Sequence, residues 1–103
     1  MAASDTRQEG TVYIRVTRGK VDPSRYADVK GLGREIAVAI SRLPGAQDYH
    51  GGGDAATGRI LAFSTWDNEA HARFPREAMG PIVEKLQALG VQLQPPEIYQ
   101  TFT

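Results

Sequence analysis

The chain has 103 residues and a mass of 11.2 kDa, which is room for one domain. Lys plus Arg and Asp plus Glu are both 12 and cysteine is absent. The charge balance argues against sequence-independent binding to nucleic acid or anionic lipid, and the missing cysteine excludes disulfides, thiol catalysis and thiolate metal sites.

Met1 to Gly10 is small, polar and charged with no apolar run, so it reads as a polar N-terminal tail and not as a secretory signal. No stretch approaches the ~20 apolar residues that span a bilayer. A cytoplasmic location without a membrane partner is the expectation, with residues 11–103 forming one domain. From Thr11 to Thr17, Val12, Ile14 and Val16 alternate with Tyr13 and Arg15, which predicts a first strand. Asp22-Pro23 then supplies a cap and a proline at the first helical position. Tyr26, Val29, Gly33, Ile36, Ile40 and Leu43 follow helical spacing up to the stop at Pro44-Gly45. Gly31 and Gly33 each weaken this helix by about 1 kcal/mol relative to alanine, so a local irregularity or a packing reason is expected there.

Ala46 to Gly52 reads as a short strand leading into Gly51-Gly52-Gly53, glycines that suit a bulge or a close backbone approach. Asp54 to Gly58 reads as a tight hairpin loop, and Arg59 to Trp66 as the third strand. Ile60, Ala62 and Trp66 make one face of that strand apolar; Leu61 and Phe63 do the same for the other, so both faces are expected to be covered. Asp67 is the expected cap of a second helix through Phe74, interrupted at Pro75. Ile82, Val83, Leu86 and Leu89 resume it until Gly90, with Pro81 dividing the region in two. After Pro95-Pro96, Glu97 to Thr103 reads as the last strand. The order βαββαβ is that of an α+β ferredoxin-like fold, a four-stranded antiparallel sheet with both helices on one face. The twice-apolar third strand predicts that the other face meets a second copy of the chain in a homodimer.

The run Ser64-Thr65-Trp66-Asp67-Asn68-Glu69-Ala70-His71 resembles the strand end, Trp, acidic cap and Glu-Ala helix start of the antibiotic biosynthesis monooxygenase-like group of dimeric α/β barrels. The Asp54 to Gly58 hairpin and the proline-led final strand with Ile98-Tyr99 resemble members of the same group. The resemblance spans Thr11 to Phe102. It implies two sheets packed face to face in a dimer, a small-molecule pocket in each subunit, and cofactor-free oxygenation of aromatic or polyketide-like substrates as one of the group's activities. It does not single out a reaction, since the same fold also serves haem degradation, isomerisation and roles without known activity. Haem degradation in related enzymes relies on a first-strand Asn, a Trp and a histidine on the second helix. Only Trp66 matches here: Thr11 to Thr17 holds no Asn, Arg76 stands ten residues after the Trp, and His71 comes half as far along.

Trp66, His71 and His50 are the catalytic candidates. Trp66 can wall an aromatic pocket or simply fill the core. Either histidine can move a proton near neutral pH or face solvent. Arg15, Tyr13, Tyr49 and Phe74 are candidates for holding substrate, Arg15 because a mid-strand arginine can grip an anionic or enolate-like group. Two histidines do not make a usual ligand set, so no metal and no cofactor is expected. The glycine run is not a phosphate loop, since it lacks the following Lys and Ser/Thr and precedes a hairpin. Ile60 to Ser64 lacks the paired aromatics of an RNA-binding strand, and no nucleic-acid partner is expected. The same fold without chemistry, as a ligand-binding or assembly domain, is the alternative function.

Overall fold

β-branched and apolar residues from Tyr13 onward build β1 (Tyr13–Lys20), longer than the sequence pattern indicates because Gly19 and Lys20 still pair with Ile60 and Arg59. A computed structural model of the chain describes residues 12–102; the expected tail over Met1 to Gly10 lies outside the described residues. Asp22 caps a single 3-10 turn at Pro23–Arg25 through a 2.9 Å bond from the Ser24 amide. The helix that follows is broken at Leu32 into α1 (Tyr26–Gly31) and α2 (Gly33–Ser41), an irregularity at the place where the two glycines predict one.

β2 (Ala46–Asp54) runs through all three glycines, and its irregularity lies at Gln47, between Ala46 and Asp48, not in the glycine run. Close backbone approach is met at Gly53, where a Cβ would sit 2.5 Å from the Arg59 carbonyl oxygen. The hairpin closes as its residues predict: the Asp54 carboxylate accepts the Ala56 amide at 3.0 Å, and Gly58 takes a φ of 81°. β3 (Arg59–Trp66) follows.

The cap of the next helix is Asn68, not Asp67. Asn68 is extended (φ −155°) and its side chain accepts the His71 amide at 2.8 Å, whereas Asp67 bonds the His71 ring. That helix, α3 (Glu69–Ala72), is one turn long. A 3-10 turn at Arg76–Met79 and α4 (Pro81–Ala88) complete the region, with Pro81 at the start of α4 where proline is tolerated. The end of the chain forms two strands instead of one: β4 (Gln92–Leu93) and a short β5 (Glu97–Gln100), both antiparallel to β1.

The sheet order is β2-β3-β1 with β4 and β5 together on the far edge of β1, all neighbours antiparallel, which is the ferredoxin-like arrangement. Register decides what each face carries. Tyr13, Arg15 and Thr17 lie beside Trp66, Ser64 and Ala62 and face the helices. The polar-looking set of β1 therefore covers the helix side, while Ile14 and Val16 share the open face with Leu61 and Phe63. None of the described elements covers that open face, and Leu61 is 39% exposed. On the helix side the core is split in two. Val21, Val29 and Val91 gather at one end; Ile40, Trp66 and Ala72 gather at the other.

Candidate functional site

Successive cross-strand rows on the helix side explain why the core divides. The first row, Ala46, Trp66 and Tyr13, is packed. The second is Tyr49, Ser64 and Arg15, a line of hydrogen-bond donors across three strands. The third, Gly51, Ala62 and Thr17, has little side-chain bulk. The fourth, Gly53, Ile60 and Gly19, belongs to the Val21, Val29 and Val91 cluster through Ile60. Small residues in the third row leave a cavity of about 740 Å³ between sheet and helices. Val29, Ile36 and Ile40 form one apolar wall and Ile82, Val83 and Leu86 the other, with Phe74, Arg76 and Met79 also on the lining.

Arg15 is half-buried on the floor. Its Nη1 donates to the Ala72 carbonyl at 2.9 Å and to the Phe74 carbonyl at 3.3 Å, and its guanidinium carbon lies 3.8 Å from the Phe74 ring centroid. The end of α3 is thus tied to the sheet by this one side chain. Burial lowers the Arg15 pKa from its ordinary value, because the site withholds water from the charge. Tyr49 leans over Gly51, where a Cβ would come within 2.9 Å of the phenolic oxygen, and burial raises its pKa, which keeps the hydroxyl a neutral donor. Ser64 accepts the Trp66 indole N–H at 2.9 Å, leaving its own proton to donate. Among the described residues the ionisable ones on the lining are Arg15, Lys30, Arg76, Tyr26, Tyr49 and His50, without one Asp or Glu.

Arg15, Tyr49 and Phe74 from the candidate set meet at this cavity; the others do not line it with their side chains. Tyr13 packs in the core beside Trp66. Trp66 is completely buried, its ring tilted at 42° against Phe74 with centroids 5.1 Å apart, so it supports the cavity from behind Ser64 without bordering it. His71 lies off the lining, its Nδ1 2.6 Å from the Asp67 carboxylate. His50 borders the cavity in β2, but its ring is on the open face, tilted against Phe63 at 6.2 Å. Ser64, Thr17 and Ala62 are the residues that sequence reasoning missed. Their signal is spacing: Ser64 and Ala62 sit two apart on the Trp66 face of β3, in an otherwise bulky strand. Among the described residues no group of three His, Asp or Glu side chains is placed to hold a metal ion. No helix there is long and apolar enough to cross a membrane.

A ferredoxin-like chain with a ligand-sized chamber between sheet and helices is the class of architecture that these features define. No family profile and no curated protein matches the sequence. Solved structures match it over most of its length. A candidate antibiotic biosynthesis monooxygenase from Deinococcus radiodurans is 21% identical with a TM-score of 0.63, covering 88% of this chain and 91% of that one. SnoaB from Streptomyces nogalater, described as a cofactor-independent oxygenase, is 14% identical with a TM-score of 0.65, covering 91% and 96%. A conserved protein from Methanosarcina mazei Go1 is 17% identical with a TM-score of 0.69, also covering 91% and 96%. The resemblance carried by the Ser64 to His71 run therefore extends to three dimensions: this chain has the subunit fold of the antibiotic biosynthesis monooxygenase structures.

Proposed function

We propose that the chain binds a small aromatic or polyketide-like molecule between its sheet and helices, and oxygenates it without a resident cofactor, as a member of the antibiotic biosynthesis monooxygenase-like group. The observation that carries this reading is the lining. A chamber of about 740 Å³ with apolar walls and one row of donors suits a flat ring system with an ionisable oxygen. Sites for drug-sized molecules span roughly 300–1,000 Å³.

The chemistry follows from what the floor can stabilise. Loss of a proton from an activated methylene or phenol gives an anion whose charge gathers on oxygen, and Arg15, Ser64 and Tyr49 place donors where that charge develops. The electron-rich anion then reduces dioxygen. Oxidation of a methylene to a carbonyl consumes one dioxygen and releases one water, so atoms and electrons balance without a further reductant. Among the described residues no carboxylate lines the cavity, and the proton leaves to water. On the opposite face Ile14, Val16, Leu61 and Phe63 form an apolar strip, and the proposed working unit is a cytoplasmic homodimer in which a second copy covers it.

One observation favours a second reading, a binding domain without chemistry: neither Trp66 nor the His71 ring borders the chamber. Oxygen uptake against a panel of hydroquinones and anthrones separates the two, with Ala62→Leu as the control whose larger side chain fills the third row. Uptake by the wild type that Ala62→Leu abolishes is the expected result. Saturable binding with no uptake selects the binding domain, and absence of both overturns the cavity as the functional site.

A further inference from the structure

Four arginines of this chain can be compared by their partners. Arg18, Arg59 and Arg73 are well exposed, and each pairs with a carboxylate, of Glu97, Asp54 and Glu69, at 2.9 to 3.4 Å. Arg15 is half-buried, where a counter-charge matters more, and among the described residues it has no carboxylate within salt-bridge distance. Its side-chain bonds to the described residues run from Nη1 to two backbone carbonyls, and with the stacking on Phe74 they hold the guanidinium in one orientation.

That orientation leaves one edge free. Nε and Nη2 make no bond to the described residues, and no side-chain nitrogen or oxygen there is both buried and unpartnered, so neither is sealed off, and Arg15 itself lines the cavity. The Nε and Nη2 hydrogens point in parallel, a fork that matches the two oxygens of a carboxylate. A lone phenolate oxygen would use half of it. Arg15 faces the helices, so a second copy packed on the open sheet face does not reach it.

We propose that the ligand of this cavity carries a carboxylate, and that the Nε–Nη2 edge of Arg15 is its receptor, with the Ser64 and Tyr49 hydroxyls beside it in the same row. The inference rests on reading the cavity as a small-molecule site. It adds a specificity: a flat acid is held end-on, its ring system between the apolar walls.

The test is fluorescence titration of the full chain with three probes of one shape: anthracene-2-carboxylate, anthracene-2-carboxamide and anthracen-2-ol. Wild type is expected to hold the acid about ten- to a hundredfold more tightly than the other two. Arg15→Met should erase that preference and leave amide binding in place. Arg15→Lys keeps charge without the fork, should lose most of the preference, and serves if the methionine variant fails to fold, as judged by circular dichroism. Equal binding of acid and amide by wild type overturns the carboxylate receptor while leaving the cavity reading intact. An acid preference that stays undiminished in either folded variant also overturns it, by placing the anion on another cation. Failure of all three probes to bind removes the cavity reading itself.

Discussion

Two adjacent rows on one sheet face end in opposite states. Ala46, Trp66 and Tyr13 are built into a closed core, the indole fully buried and its N–H bonded to Ser64. One row further, Tyr49, Ser64 and Arg15 keep donors facing open volume. The strands, helices and solvent are the same. What differs is the next row: Gly51, Ala62 and Thr17 supply too little bulk to close the gap, so the packing that seals Trp66 stops at Ser64. The comparison teaches that this site is a fault left in a core by small residues, with polar groups at its edge. Ser64 belongs to both sides, accepting from the buried indole and lining the cavity.

The largest way to break the comparison is Trp66→Ala. Removing a fully buried indole from the closed row should cost about 3–5 kcal/mol, a substantial share of the stability of a chain this size. Chemical denaturation read by far-ultraviolet circular dichroism checks it. A loss below about 1 kcal/mol would mean that the row is not the packed end of the core.

Ser64→Ala tests the boundary between the two rows. It strands the indole N–H in a dry environment, for an expected loss of about 1–3 kcal/mol. Pairing it with Trp66→Phe removes donor and acceptor together, so the double variant should be more stable than the sum of the two single losses predicts. Strict additivity in that cycle would show that the hydroxyl serves the cavity alone.

Much of the fold was legible because its determinants are local. The alternation in Tyr13 to Thr17, the Asp22-Pro23 start, the Asp54 to Gly58 hairpin and the Gly90 stop each act within a few residues. Asp67 against Asn68 marks the limit of that reading: two adjacent residues are both good caps, and backbone geometry selects the extended one. The two-residue β4 left no pattern to find, since its pairing rests on Gly19 and Lys20 of a distant strand. The site was half legible for the same reason. Arg15, Tyr49 and Phe74 are conspicuous residue types, but the row that joins Arg15 to Ser64 and Tyr49 exists only through register between strands. Trp66 and His71 drew attention by type and by resemblance; their positions relative to the void follow from packing that no single segment encodes.

His71→Ala is the smallest expected effect and the sharpest control. Its ring bonds the exposed Asp67 carboxylate at 2.6 Å, away from the cavity, and an exposed pair of this kind contributes less than about 1 kcal/mol. The residue does sit in α3, whose last carbonyl, that of Ala72, holds Arg15. That link is through the backbone, and it survives in the variant: Asn68 Oδ1 accepts from the His71 amide, a cap that stays when the ring and its 3.1 Å contact with Asn68 Nδ2 are removed, and alanine is a better helix former than histidine. Arg15 therefore keeps its orientation when the imidazole is removed. Probe affinity and oxygen uptake should both stay within about twofold of wild type. A loss of uptake at unchanged affinity would instead make His71 a proton carrier for the reaction, acting across the Asp67 turn, and the chemistry would then no longer be confined to the donor row.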